Sequence, residues 1–274
     1  MLVYVLSVSI IVLYIYLNFM KNSKKIVIKL GSSLLTNSRG GVKKSVLKNV
    51  VKDIVWLLNS KKEVIVVSSG AISLGRGKLN LKHDLTLNES QAVAARGQIE
   101  LMTAWKNEFK KYKKQVAQIL LSPSDIKNKK SSKNAMATLE NLFNFNCVPI
   151  INENDTTSTD EIKFGDNDIL AAQIAVLINA DYLVLLSNVD GLYKEPPKNN
   201  KNDDLVTQVN SITSEIKDMA GAASKLGKGG MVSKIKAAEI CIKSKCSVII
   251  TSGLKDNPIK NLNNKKTKST KFLA

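Results

Sequence analysis

The chain has 274 residues, 44% of them hydrophobic, which is enough to bury the core of one large α/β domain or of two closely joined lobes. Its formal net charge of +18 and its pI near 9.7 come from lysines scattered over every segment, while the only arginines are Arg39, Arg76 and Arg96 and aromatic residues make up 5%. Reading and stacking of bases rely on arginine and aromatic side chains, so this composition argues against a nucleic-acid-binding protein.

The single histidine, His83, excludes catalytic triads and histidine-rich metal sites, so any chemistry must use lysine, carboxylate, amide and backbone groups. Cys147, Cys241 and Cys246 are odd in number and lack CxxC spacing, which is typical of reduced thiols in a cytosolic protein. We therefore expect a cytoplasmic protein with no metal ion held by its own side chains.

The first segment, Met1–Phe19, is apolar and long enough to cross a bilayer. It lacks a basic start and a small-residue cleavage site, so we do not expect a cleaved signal peptide. Two interpretations stay open: residues 1–20 are a membrane anchor, or Met20 is the true start. Because lysines follow at once, insertion would leave the rest of the chain in the cytoplasm.

Beyond this segment, short β-branched runs alternate with amphipathic segments, which predicts βαβ units around a mostly parallel sheet over residues 24–262. Strands are predicted at Lys25–Leu30, Glu63–Ser68, Gln115–Leu121, Val148–Asn152, Tyr182–Ser187 and Ser247–Thr251. Helices are predicted at Val42–Asn59, Glu89–Lys111, Ser131–Phe145, Asp168–Asn179, Ser211–Ala220 and Gly230–Ser244. Lys194–Asp204 is expected to be an exposed loop, and the chain from Asn261, with a basic tail at 263–274, is expected to fray.

Glycine, hydroxyl and amide residues end the predicted strands or directly follow them. They are Gly31, Ser69, Gly70, Asn152, Ser187 and Asn188. Right-handed crossovers place the carboxyl ends of parallel strands at one edge of the sheet, where α/β proteins bind ligands. Lys29 lies within the first strand, and a buried lysine is costly unless it meets an anion. Gly31 would let backbone N–H groups approach that anion, and Ser32 would add a donor. An edge-strand lysine is the alternative.

Two acid–amide clusters occur in the middle of the chain. Asn152–Asp155 begins at the end of the fourth predicted strand, and Phe164–Asp168 opens a predicted apolar helix. Their side chains can accept from an ammonium group, donate to a carboxylate or hold a lysine in position. Turn and cap chemistry explains one such cluster alone. Two clusters, matched to lysines and glycines elsewhere, favour a binding site.

A glycine-rich stretch, Leu226–Lys234, leads into a predicted helix. Such a loop favours phosphate binding through free backbone N–H groups and the helix dipole, although a flexible linker is the alternative. Lys234 falls about one turn inside the helix, so its ammonium group can reach the same phosphate. Neither a Walker A loop nor a Rossmann glycine motif occurs in the chain.

Together these features predict phosphoryl transfer. A migrating γ-phosphoryl group needs in-line positioning and cations around its oxygens. Lys29 and Lys234, with Mg²⁺ carried by ATP, would supply the cations, and Asp168 would orient both lysines. A carboxylate acceptor is already ionised and needs no general base.

The motifs resemble those of the glutamate 5-kinase branch of the amino acid kinase family. They read I-V-I-K-L-G-S-S, V-V-S-S-G-A-I, P-I-I-N-E-N-D, F-G-D-N-D and G-K-G-G-M-V-S-K, between Lys25 and Gly253. The resemblance implies a three-layer αβα sandwich around a mostly parallel sheet of about eight strands. It also implies ATP-dependent phosphorylation of L-glutamate to L-glutamyl 5-phosphate, the first committed step towards proline.

The resemblance also implies roles for individual residues. Lys29 and Lys234 would stabilise the transferring phosphoryl group, and Asp168 would organise them. The expected glutamate-binding residues are Ser69, Gly70, Asp155 and Asn167. The expected ATP-binding residues are Lys29, Gly31, Ser32, Ser187, Asn188, Lys228, Gly229, Gly230, Met231, Val232, Ser233 and Lys234.

A few features depart from the family pattern. Ser187 and Asn188 replace the Thr-Asp pair common in bacterial relatives, and Lys228 stands where threonine is common. We expect a short form without a C-terminal PUA domain. The resemblance further implies feedback inhibition by proline and assembly into a dimer or tetramer.

Other interpretations stay open at this point. The chain could phosphorylate another acceptor, such as acetylglutamate, aspartate, carbamate or a nucleoside monophosphate. It could instead be a non-catalytic sensor of proline or glutamate, or a lysine-rich protein that binds nucleic acid or a membrane surface. The two lysines and Asp168 are intact, which favours an active kinase.

Overall fold

A computed structural model describes residues 23–157, 167–195, 204–223, 230–264 and 266–274. The apolar segment Met1–Phe19 and most of the expected loop Lys194–Asp204 lie outside these ranges. Within them, no helix combines the length and the apolar character that a membrane crossing requires.

One sheet forms the centre of the structure. Its strands are β1 (Lys25–Leu30), β2 (Glu63–Ser68), β3 (Gln115–Leu121), β4 (Cys147–Glu153), β5 (Tyr182–Ser187), β6 (Gln208–Val209), β7 (Ser247–Ser252) and β8 (Ser269–Phe272). They lie in the order β3-β4-β2-β1-β5-β7-β8-β6. The described pairs are parallel except for β7 with β8. The prediction of a mostly parallel, eight-stranded sheet is confirmed.

The helices cover both faces of this sheet. In the described residues they are α1 (Ser32–Leu35), α2 (Lys44–Asn59), α3 (Ala71–Lys78), α4 (Leu87–Lys110), α5 (Pro123–Lys127), α6 (Lys129–Asn144), α7 (Asp168–Leu177), α8 (Ser214–Ala223), α9 (Met231–Ile242) and α10 (Pro258–Asn263). Each of the long predicted helices is present, with ends displaced by a few residues. For example, α4 starts before Glu89, because Thr86 and Glu89 form a capping box.

The core consists of two apolar layers, one on each side of the sheet. In β1, Ile26 and Ile28 pack into the layer that contains α2 and α4, whereas Val27 packs into the layer that contains α7 and α9. Because side chains alternate along a strand, Lys29 lies on the same side as Val27. The expected three-layer αβα sandwich is therefore confirmed, and its first strand directs Lys29 towards α7 and α9.

The C-terminal segment is ordered, so the prediction that the chain frays from Asn261 is wrong. Asn261 lies within α10, and the expected basic tail at 263–274 contains β8, which pairs with β7 on one side and β6 on the other. Phe272 and Thr270 are fully buried, and the Thr270 hydroxyl accepts a hydrogen bond from the Leu192 backbone N–H at 2.7 Å. Strand pairing and these buried side chains hold the segment in the sheet.

Candidate active site

Two lysines meet one buried carboxylate at the carboxyl end of the sheet. Lys29 Nζ lies 2.6 Å from Asp168 Oδ1, and Lys234 Nζ lies 2.9 Å from Asp168 Oδ2. The exposed fractions of the three side chains are 4% for Lys29, 11% for Lys234 and 0% for Asp168. The structure therefore brings together the three residues predicted to carry the chemistry.

Each member of this cluster comes from a different element. Lys29 is next to the last residue of β1, Asp168 is the first residue of α7, and Lys234 lies in the first turn of α9. The two helices pack against each other in the apolar layer that also receives Val27. The cluster therefore forms only when the end of β1 and the starts of α7 and α9 are correctly placed relative to one another.

The cluster carries one more positive than negative charge and is shielded from water. A buried charge is tolerated when it is paired, and Asp168 pairs with both ammonium groups. The N-terminus of α7 adds partial positive charge beside the same carboxylate. Two ammonium groups held beside one carboxylate suit a phosphoryl group.

Ser233 joins the cluster through its hydroxyl. Its Oγ donates to Asp168 Oδ2 at 2.9 Å and lies 3.0 Å from the Gly230 carbonyl oxygen. Gly230 precedes the first turn of α9, and Met231 is buried in the apolar layer. The start of α9 is therefore tied directly to Asp168.

A cavity of about 650 Å³ opens beside the end of β1 and the start of α3. Its lining includes Ser32, Gly70, Asn152 and Asp155, and it extends to Arg76 and Lys82. Gly70 adopts a φ of 115°, which is the left-handed region and suits glycine. Ser69 is buried, and its backbone N–H donates to the Leu30 carbonyl at 3.1 Å, joining the ends of β1 and β2.

Asp155 contributes a carboxylate to the lining of this cavity. Burial, and after it the nearby carboxylate of Glu153, raises the pKa of Asp155 to about 7. Within the described part of the chain, Asp155 Oδ1 is buried without a hydrogen-bond partner. A cationic group entering the cavity would therefore find an acceptor that protein groups leave open.

A row of three side-chain amides includes Asn152, which lines the same cavity as Asp155. Asn167 Nδ2 donates to Asn152 Oδ1 at 2.7 Å, and Asn152 Nδ2 donates to Gln98 Oε1 at 2.9 Å. Asn167 was predicted as a binding residue and Asn152 only as a member of its cluster. Gln98 was not predicted, because a single glutamine within α4 carries no sequence signal of a site.

The remaining predicted site residues have different outcomes. A Cβ atom added to Gly31 would lie 3.7 Å from Lys29 Nζ, so Gly31 is next to the lysine as expected. Asn188 Nδ2 donates to Ser33 Oγ at 3.0 Å, which connects the end of β5 to α1. Lys228 and Gly229, together with residues 164–166 of the second acid–amide cluster, lie outside the described residues. The ATP contacts and glutamate contacts stay predictions.

Comparison with known sequences gives a consistent family match. The sequence profile of the Amino acid kinase family matches residues 24–252. The chain is 46% identical over 257 residues to glutamate 5-kinase of Pelagibacter ubique, covering 93% of this chain and 70% of the relative. It is 44% identical over 257 residues to glutamate 5-kinase of Clostridium acetobutylicum, covering 93% and 96% respectively. Glutamate 5-kinase 1 of Rhizobium meliloti is 48% identical over 242 residues, covering 88% and 62%.

Two solved structures share the architecture. UMP kinase from Ureaplasma parvum superposes with a TM-score of 0.63 at 19% identity, covering 92% of this chain and 100% of that one. Carbamate kinase from Giardia lamblia, bound to AMP-PNP, superposes with a TM-score of 0.60 at 16% identity, covering 93% and 99%. At these identities the likeness concerns the fold alone.

Proposed function

The chain belongs to the amino acid kinase family, and we propose that it transfers the γ-phosphoryl group of ATP to the γ-carboxylate of L-glutamate. The product is L-glutamyl 5-phosphate, and the reaction is the first step of proline biosynthesis. Its support is the 44–48% identity to several glutamate 5-kinases over most of the chain. The observation that carries the chemistry is the pairing of Lys29 and Lys234 with buried Asp168.

The cluster can serve this reaction without a general base. A γ-carboxylate oxygen of glutamate attacks the γ-phosphorus of ATP, and the bond from that phosphorus to the bridging oxygen breaks, leaving its electron pair on ADP. No proton has to move. Lys29 and Lys234 would stabilise the charge on the migrating group from two sides, and Asp168 would keep their ammonium groups in place.

ATP would bind at the carboxyl edge between β5 and α9. The start of α9 presents backbone N–H groups and partial positive charge, which suit phosphates, and Ser233 and Lys234 lie in its first turn. Ser187 ends β5, and Asn188 follows it on the same edge. Mg²⁺ is a component of the nucleotide substrate here and would neutralise part of the charge on its phosphates.

Glutamate would occupy the cavity lined by Gly70, Asn152 and Asp155. The carboxylate of Asp155 suits an ammonium group, and Ser69 and Gly70 stand at the start of α3, where backbone N–H groups suit a carboxylate. This arrangement supports an amino acid as the acceptor.

The proposal is tested by trapping the acyl phosphate. Purified chain with ATP, Mg²⁺, L-glutamate and hydroxylamine should form glutamyl hydroxamate. Lys234→Ala should lower the rate by about 10²–10³-fold, because one cation of the transition state is lost. Lys236→Ala is the matched control, since Lys236 is exposed on the same helix, and it should keep the rate. Equal rates for the two variants would contradict the assigned chemistry.

The acceptor is tested in the same assay. Aspartate, acetylglutamate, carbamate and UMP are offered in place of glutamate, and glutamate should have the highest kcat/KM. Higher efficiency with any of the others would overturn the proposed substrate. Inhibition by proline and assembly into a dimer or tetramer stay predictions, which proline titration and light scattering would test.

A further inference from the structure

We propose that Gln98 is a positioning residue for the ammonium group of the acceptor amino acid, a role that rests on the proposed function. Gln98 lies on α4 and does not line the cavity. It acts through Asn152, whose Nδ2 donates to Gln98 Oε1 at 2.9 Å, and through Asn167, whose Nδ2 donates to Asn152 Oδ1 at 2.7 Å.

The backbone of β2 determines which amide donates and which accepts in each hydrogen bond of this row. Asn167 Nδ2 also lies 3.5 Å from the Ser68 carbonyl oxygen, which can only accept a hydrogen bond. Asn167 must therefore present its NH₂ group to Ser68 and Asn152, and Asn152 must present its oxygen. The NH₂ group of Asn152 then faces Gln98, which must present its own oxygen.

This direction leaves the carbonyl oxygen of Asn167 as an open acceptor. Within the described part of the chain, Asn167 Oδ1 and Asp155 Oδ1 are both buried without a hydrogen-bond partner. Asn152, which bonds to Asn167, lines the cavity together with Asp155. A buried acceptor without a donor is unfavourable, so each of these oxygens favours a ligand that donates hydrogen bonds. The ammonium group of an amino acid is such a ligand. Asp155 lines the cavity itself, whereas Asn167 is fully buried and is connected to the cavity through Asn152.

Gln98 matters because it terminates the row. Without an acceptor at this position, Asn152 would leave its NH₂ group unsatisfied and could turn over, which would offer Asn167 a donor instead of an acceptor. Asn167 would then have to rearrange and would lose the orientation that suits an ammonium group. The effect of Gln98 on the ligand is thus transmitted through two amides.

The test replaces Gln98 by methionine, which has a similar shape and no acceptor of comparable strength. Gln98→Met should raise the KM for L-glutamate by about 10- to 100-fold, the range for a hydrogen bond to a charged group, with kcat and the KM for ATP within about threefold of wild type. Trp105→Phe is the matched control. It removes another buried hydrogen bond between α4 and β2, from Trp105 Nε1 to Ser68 Oγ at 3.0 Å, outside the amide row.

The outcomes separate the role of Gln98 from a purely structural one. A glutamate KM that rises equally in Gln98→Met and Trp105→Phe, or in neither, overturns the proposal. Gln98→Glu keeps an oxygen acceptor and should stay within about threefold of wild type, so a tenfold rise in this variant also overturns it, even if Gln98→Met does not fold.

Failure of the proposed function would be recognised separately, since wild-type protein would then form no hydroxamate from glutamate. In that case the role of Gln98 is tested by calorimetric titration of L-glutamate into the wild-type protein and into Gln98→Met. Weaker binding to the variant by about tenfold or more supports the positioning role, and equal binding or no binding to either rejects it.

Discussion

Two aspartates at this site are placed in opposite electrostatic situations. Asp168 is fully buried but meets two ammonium groups, so its charge is stabilised and can hold the lysines in place. Asp155 is also buried, but the charge next to it is the carboxylate of Glu153. The first aspartate is suited to organising the phosphoryl-transfer centre, and the second is suited to receiving a cation from outside.

The raised pKa of Asp155 predicts a pH-dependent affinity for glutamate. With a pKa of about 7, Asp155 is mostly protonated below that pH and mostly ionised above it. An ammonium group binds the ionised form, so the KM for glutamate should fall about tenfold between pH 6 and pH 8. Asp155→Asn should have a high KM that does not change with pH over this range. A wild-type KM that is constant, or that rises with pH, would contradict the assignment.

The chemical centre was predictable from sequence because its residues lie at recognisable positions. Lys29 stands out as a cation within a β-branched run, and Lys234 follows a glycine-rich entry to a helix. Gln98 has no comparable sequence signal. Its partner Asn152 is 54 positions away and becomes a neighbour only when α4 packs against the sheet. Sequence periodicity reports which face of a helix is buried and says nothing about which amide a buried glutamine meets.

At the level of elements, length decided what could be predicted. The long helices were found because several turns give a clear apolar period, and the central strands were found because they are short β-branched runs. The short helices α1 and α5 were missed, since four or five residues do not repeat an apolar pattern. Short elements of this kind depend on contacts made elsewhere in the fold, as α10 shows. Asp53 on α2 caps α10, with its Oδ2 accepting from the N–H groups of Ile259 at 2.7 Å and Lys260 at 3.0 Å.

Removal of this cap should destabilise the protein. Asp53→Ala should lower the free energy of unfolding by about 2 kcal/mol, because two backbone donors lose their acceptor. Asp53→Asn keeps an acceptor and removes a charge that burial disfavours, since burial raises the pKa of Asp53. The decrease in the free energy of unfolding should therefore be less than about half of that for Asp53→Ala. Urea unfolding at neutral pH measures both values. Equal losses would show that the charge of Asp53, and not its role as an acceptor, holds α10.

At the scale of the whole molecule, the C-terminal strand β8 is the feature that the sequence did not predict. Its four residues lie in a lysine- and asparagine-rich segment that is typical of a mobile tail. In the fold they complete the sheet, because β6 pairs only with β8 among the described strands and reaches the rest of the sheet through it. Long-range pairing gives this segment its structure, and local propensity does not contain that information.

Phe272 provides the test of this integration. It is fully buried in the apolar layer that also holds α7 and α9, whereas Phe145, at the end of α6, is 69% exposed. Phe272→Ala should lower the free energy of unfolding by about 3–5 kcal/mol, the usual cost of a cavity left by phenylalanine. Phe145→Ala removes the same atoms from the surface and should change it by no more than about 0.5 kcal/mol. Similar values for the two variants in urea unfolding would mean that β8 is not part of the cooperative core, and that the C-terminal segment behaves as the tail its composition suggests.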